Sequence, residues 1–273
     1  MALIVALVTP QTDFVRTPNL AYAEGPRGKL DVYAPKAPHE GAPLVVFVYG
    51  GSWDSGEKAL YRFVGAALAS QGMVVAIPDY RVYPEVRYPA FLEDNARAVR
   101  WARDHAHDYG ADPGKLFLMG HSAGAYDVAM LGLDRRWLAA VGMDPRRDVR
   151  GVIGLSGPYD FLPLVDAKLK IIFGPPEGLP DTQPINHVDG HAPPFLMVQG
   201  EADTTVYPKN TRHLAAAILA HGGRAETVFY PGVKHVPTVT SFLPVFGNHL
   251  DIPSRVVAFI RKLAGGDAVK AAA

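Results

Sequence analysis

The sequence predicts an α/β fold: a mostly parallel, twisted sheet of about eight strands, with helices on both faces and at most a small cap. Three observations predict it. Short apolar runs alternate with longer amphipathic stretches along nearly the whole chain. Several of these runs are apolar at every position, as strands are when both faces of the sheet are covered. Glycine-rich and polar punctuation then falls just after the runs, at 50–52, 122, 201–203 and 235. A parallel sheet gathers the carboxyl ends of its strands into one binding edge, and core strands need no polar residues there.

The elements follow in order. Residues 29–33 alternate between Gly28 and Pro35 and read as an early, edge-side strand. Residues 34–43 hold three prolines and form a surface connection. Residues 44–49 are a central strand closed by Gly50-Gly51-Ser52-Trp53. Helical spacing over 57–71 stops at Gly72, and 73–77 is the next buried strand. A long amphipathic helix is expected over 91–107, then the turn Asp112-Pro113-Gly114. Residues 135–150 read as a charged helix and loop, 151–156 as a strand, and 157–194 as a proline-rich, cap-like excursion. A strand at 195–199, a helix at 208–221, a strand at 226–230 and a closing helix at 252–263 complete the pattern.

Composition sets the bounds. With 273 residues, 48% of them hydrophobic, the chain can bury a sizeable core, and 1–273 is expected to form a single α/β domain. Residues 1–20 read as an N-terminal extension and 265–273 as a frayed tail. Balanced charge, 27 basic against 27 acidic residues, suggests neither nucleic acid nor an anionic membrane as partner. The lack of cysteine removes disulfides, thiolate metal sites and a cysteine nucleophile. The apolar start lacks a basic n-region and is too short to span a bilayer. It reads as a short packed element, which favours a cytoplasmic chain, or as the remnant of an export segment. The sequence leaves open a monomer or a homodimer.

The chemistry centres on Gly120-His121-Ser122-Ala123-Gly124, where an apolar run meets a helical stretch rich in small residues. Strand, sharp turn and helix put Ser122 at the apex. A hydroxyl becomes a useful nucleophile only when it is exposed and within reach of a base. Gly120 and Gly124 make room, because larger side chains there would meet the neighbouring strand and helix.

A base and a group to orient it must come from elsewhere in the chain. Of ten histidines, His235 fits best, since a loop after the last strand can bring its imidazole back over the strand ends. His105, His107, His213 and His221 sit on expected helices, and His39 and His249 on surface connections. His187 and His191 fall in the excursion, and His121 adjoins the serine but points away. Asp203, in the turn after the 195–199 strand, is the expected orienting acid. Glu201 competes with it, two residues nearer the strand, and its plainer role is a solvated turn residue. Main-chain N–H groups of Ala123, Gly51 and Ser52 are expected to form an oxyanion hole.

With these residues in place the chain resembles the α/β-hydrolases, in particular carboxylesterases related to the hormone-sensitive-lipase and kynurenine-formamidase groups. The resemblance runs over about 30–263. It rests on Leu30-Asp31-Val32-Tyr33, Tyr49-Gly50-Gly51-Ser52-Trp53, Asp79-Tyr80-Arg81-Val82-Tyr83-Pro84-Glu85, the Ser122 motif, Gly154-Leu155-Ser156-Gly157-Pro158-Tyr159-Asp160 and Gly232-Val233-Lys234-His235. The group usually has His where Tyr49 stands, and Ser52-Trp53 looks more like the formamidase form; neither change removes an N–H donor. The order Ser122, Asp203, His235 is the order of that fold.

The resemblance implies acyl transfer to water with no cofactor or metal, on a small or short-acyl ester. Trp53, Tyr126, Tyr159, Phe161, Phe173 and Val236 are expected to line the pocket, and the short excursion implies an open site. An arylformamidase or amidase on the same machinery, or a non-catalytic small-molecule-binding relative, are the alternatives.

Overall fold

Leu44, Val45, Val46, Phe47 and Val48 are each 1% exposed or less. The strand they belong to, β3 (Ala42–Val48), is therefore covered on both faces and needs no polar alternation. The structure, a computed structural model, describes residues 13–37, 40–244 and 250–265. Among these, β3 is one of eight strands of a single sheet. The others are β1 (Phe14–Ala21), β2 (Lys29–Pro35), β4 (Val74–Pro78), β5 (Ala111–His121), β6 (Gly151–Leu155), β7 (Phe195–Gly200) and β8 (Ala225–Tyr230). Their order is β1-β2-β4-β3-β5-β6-β7-β8. β2 runs antiparallel to both β1 and β4, and every other pairing is parallel.

The strand order reverses between β3 and β5: β4 lies to one side of β3, and β5 to β8 run outward on the other. A crevice at such a switch point is where open α/β sheets bind ligands. The same reversal puts the turn after β3 beside the turn after β5, so Gly50 to Trp53 and Ser122 become neighbours.

Nine α-helices, counted among the described residues, lie between or after these strands: α1 (Arg62–Ala69), α2 (Ala90–Asp104), α3 (Ala123–Leu133), α4 (Arg135–Ala139), α5 (Pro145–Asp148), α6 (Ala167–Phe173), α7 (Lys209–Ala220), α8 (Pro237–Thr240) and α9 (Ile252–Ala264). The helix expected over 57–71 is shorter. Glu57 is extended at φ −156°, a 3-10 turn covers Lys58–Tyr61, and α1 begins only at Arg62. The charged segment 135–150 is two short helices, α4 and α5. Each starts where an aspartate, Asp134 or Asp144, accepts the N–H two residues on. The excursion carries α6, capped by Asp166 on the N–H of Leu169 at 2.9 Å, and the 3-10 turns Pro176–Thr182 and Pro184–His187.

One edge departs from the sequence expectation. β2 is not an edge strand: Leu30, Asp31, Val32 and Tyr33 are all 2% exposed or less, and residues 14–20 of the expected extension, together with Ala21, pair with it as β1. β1 has no apolar face to announce it, since Phe14 alone in it is fully buried. It is tied on by polar contacts instead. Buried Asp31 accepts from Arg16 Nη2 at 2.6 Å and from the Asn19 N–H at 3.0 Å, with Lys58 Nζ at 3.4 Å. The expectations for 1–12 and 266–273 lie outside the described residues. No helix among the described residues is long and apolar enough to cross a membrane.

Candidate active site

Ser122 sits between β5 and α3 with φ 55° and ψ −122°, a conformation that a residue with a Cβ rarely adopts. Its N–H continues the β5–β6 ladder, donating to Leu155 O at 2.9 Å, while its carbonyl starts α3 by accepting from Ala125 N at 2.9 Å. The turn is tight because its flanks are glycine. A Cβ on Gly120 would lie 2.2 Å from Gly124 O, and one on Gly124 would lie 2.0 Å from Val48 O. The hydroxyl is thereby held above the strand ends, at the N-terminus of an eleven-residue helix.

Three side chains expected from sequence meet here. His235 Nε2 is 2.8 Å from Ser122 Oγ, and His235 Nδ1 is 2.8 Å from Asp203 Oδ2. Asp203 is buried and receives four hydrogen bonds. Oδ1 accepts the N–H groups of Thr205 and Val206, each at 2.9 Å, and Oδ2 accepts Gln199 Nε2 at 3.0 Å as well as His235. An acceptor-only carboxylate puts the imidazole proton on Nδ1. Nε2 is left with its lone pair facing the serine O–H. The loop that bears His235 is fixed from behind, where Thr238 Oγ1 donates to His235 O at 2.8 Å and lies 3.1 Å from Ser156 Oγ.

Glu201 points elsewhere. Its side chain is 41% exposed and pairs with Arg212 at 3.0 Å. His121 is buried with its ring 4.9 Å from that of His235. Burial, and then the proximity of His235, push its pKa down to about 3, so it is neutral at ordinary pH.

A cavity of about 330 Å3 opens on Ser122. Ser52, Trp53 and Ala123 line it close to the serine; Phe161, Leu162, Leu164 and Leu169 give an apolar wall, and Thr205, Tyr207, Lys209 and Asn210 a polar one. Gly51 is not part of this lining. Its carbonyl accepts from the N–H groups of Asp54 and Ser55 at 3.1 Å and from Ser55 Oγ at 3.0 Å, which folds the loop back on itself.

The expected pocket residues divide. Trp53 and Phe161 line the cavity. Tyr126 and Tyr159 do not: both are buried, Tyr126 with its hydroxyl on Thr182 O at 2.7 Å and Tyr159 with its ring packed against Gly154 and Gly157. Phe173 packs edge-on against Trp53 at 4.8 Å from behind. Val236 is 56% exposed, outside the cavity lining. All eleven residues of α3 are buried, so helical phase could not tell which of them faces the cavity. The sequence reading also missed Gln199, Asp127 and the 162–169 wall. Asp127 did leave a signal, as an acid inside an otherwise apolar helix, which needs a buried partner. Among the described residues, no group of three or more His, Asp or Glu side chains could hold a metal ion.

Comparison with known proteins fits this geometry. The family profile BD-FAE matches residues 30–218. A probable isoprenylcysteine alpha-carbonyl methylesterase of Arabidopsis thaliana is 28% identical over 238 residues, covering 80% of this chain and 50% of its own. Esterase LipC of Mycobacterium tuberculosis is 31% identical over 226 residues, covering 76% and 56%. The chain thus spans about half the length of the curated relatives it matches. Among solved structures, the apo form of Thermogutta terrifontis esterase 2 superposes with a TM-score of 0.72 at 25% identity, covering 93% of this chain and 94% of that one. With its eight-stranded sheet and esterase relatives, the chain has the α/β-hydrolase fold and belongs to the BD-FAE family.

Proposed function

We propose that this chain is a serine carboxylesterase that hydrolyses small or short-acyl esters through an acyl-enzyme on Ser122. The observation that carries the reading is the unbroken chain of contacts from Ser122 Oγ through His235 to Asp203, both links at 2.8 Å, at the mouth of an apolar-walled cavity.

Ser122 Oγ bonds to the ester carbonyl carbon as His235 Nε2 takes its proton, and the carbonyl π pair moves onto oxygen. Asp203 stabilises the resulting imidazolium and keeps the ring in line. Main-chain N–H groups of Ala123, Gly51 and Ser52 bind the oxyanion, with the positive end of α3 behind them. The C–O bond then breaks, and the departing alkoxide takes the proton from His235. In the second half, His235 accepts a proton from water as the water oxygen attacks the acyl carbon, and Ser122 leaves with that proton restored.

The relatives are named as esterases, a methylesterase in the case of the Arabidopsis protein. The size of the cavity favours a short acyl group. A p-nitrophenyl ester series from acetate to laurate tests both points, with N-formylkynurenine measured in parallel. The reading expects the highest kcat/KM at acetate or butyrate and slower turnover of the formamide. A maximum at laurate contradicts the short-acyl assignment; faster formamide turnover moves the chain to the formamidases.

A further inference from the structure

Gly51, Ser52 and Trp53 have φ values of 139°, 52° and 57°. Two successive residues with a Cβ in the left-handed region form a strained turn, which persists only when its surroundings over-determine it. One constraint is internal, the three bonds to Gly51 O. A second is the Tyr83 N–H on Trp53 O at 2.8 Å. The third reaches across the site: Trp53 Nε1 donates to Asp127 Oδ1 at 3.0 Å.

Asp127 lies on α3, five residues after Ser122, and is wholly buried. Its other oxygen is 3.1 Å from Nδ2 of Asn95, on α2 and also wholly buried. An indole and an amide are both uncharged, and burial raises the pKa of Asp127 well above the usual carboxylate range. Asn95 donates from Nδ2, and among the described residues its Oδ1 has no partner; with that amide turned over, the same contact takes a donor from the side of residue 127, while Oδ1 of Asp127 keeps the indole.

We propose that Asp127 is a positioning residue for the oxyanion hole: bonded to Trp53 from the nucleophile helix, it fixes the Gly51–Ser52 donors relative to Ser122 and Ala123. The inference rests on the serine-esterase reading. Both sets of donors then share one rigid reference, α3. Their alignment matters most when negative charge develops on the carbonyl oxygen, so a lost tether lowers kcat more than it changes KM.

The test uses the full chain and p-nitrophenyl acetate, with circular dichroism and Tm to establish folding. Asp127→Leu and Trp53→Phe each remove the tether, and each is expected to lower kcat by about 10–100-fold with KM within about threefold. The double variant should be no more than about threefold worse than either single, because both remove one interaction. Asp127→Asn keeps an acceptor for the indole and a donor for Asn95, and should recover kcat to within about threefold of the starting protein.

Folded Asp127→Leu with unchanged kcat overturns the proposal, as do losses that multiply in the double variant, losses that appear in KM alone, and Asp127→Asn as impaired as Asp127→Leu. If Asp127→Leu does not fold, Trp53→Phe decides, and an unchanged kcat there overturns the proposal too. A starting protein no faster than Ser122→Ala fails separately and visibly, and removes the esterase reading together with this inference.

Discussion

Gln199 donates its side-chain amide to Oδ2 of Asp203 at 3.0 Å, the same oxygen that receives His235 Nδ1. The amide is itself oriented: Thr211 Oγ1 donates to Gln199 Oε1 at 3.1 Å, which turns the NH2 group toward the carboxylate. Asp203 is thus clamped on both oxygens before His235 arrives. Gln199→Leu removes one of four bonds to a buried charge, worth about 1–2 kcal/mol. We expect kcat for p-nitrophenyl acetate to fall by about tenfold, and an unchanged kcat would show that the two main-chain donors suffice.

The two acids near this turn separate sharply. Asp203→Asn leaves the shape but removes the acceptor that sets the imidazole tautomer, and kcat should drop by about 10⁴. Glu201 makes a solvent-exposed pair with Arg212, so Glu201→Gln should stay within about threefold of the starting protein. The reverse order would transfer the orienting role to Glu201.

His121 makes the fold sensitive to acid. Its folded pKa of about 3 lies below the ordinary 6.5. The unfolded chain therefore takes up a proton that the folded one refuses. The stability that comes from a neutral His121 is complete above pH 6.5 and is lost as pH falls toward 3, at about 1.4 kcal/mol per pH unit. Urea unfolding at pH 7.5 and 4.5 checks this. His121→Leu should lose about 2–3 kcal/mol less between the two than the starting protein does. Equal losses would place the acid sensitivity elsewhere.

Two glycines give a contrast in stability. A Cβ on Gly124 meets the Val48 carbonyl, a backbone atom that cannot swing away, whereas one on Gly178 meets nothing within 4 Å. Gly124→Ala should not accumulate as folded, active protein. Gly178→Ala should change stability by no more than about 1 kcal/mol in either direction. Thermal melts of the pair check both.

The parts of this fold that were legible in the sequence are those where burial alone decides. β3, β5, β6 and β7 are apolar through their buried stretches because both faces are covered, and Ser122 and Asp203 follow strand ends that such runs locate, whereas His235 follows β8, none of whose residues is buried. β1 was not legible, since Arg16 and Asn19 hold it to Asp31 through polar contacts that leave no apolar period. Nor was the cavity wall. Tyr126 lies four residues from the serine, yet a helix buried all round has no phase to read. Leu162 to Leu169 reach the site by an irregular path into α6, and Pro163 marks a turn without marking its direction.

The most direct test of the central claim is a rapid acid quench of p-nitrophenyl acetate turnover, followed by mass analysis of the digested protein. The account predicts one acetyl group on the peptide that carries Ser122, formed in step with a burst of p-nitrophenol and absent from Ser122→Ala, which should also lose turnover. Turnover by Ser122→Ala at the starting rate, with no acetyl group on that peptide, would contradict it.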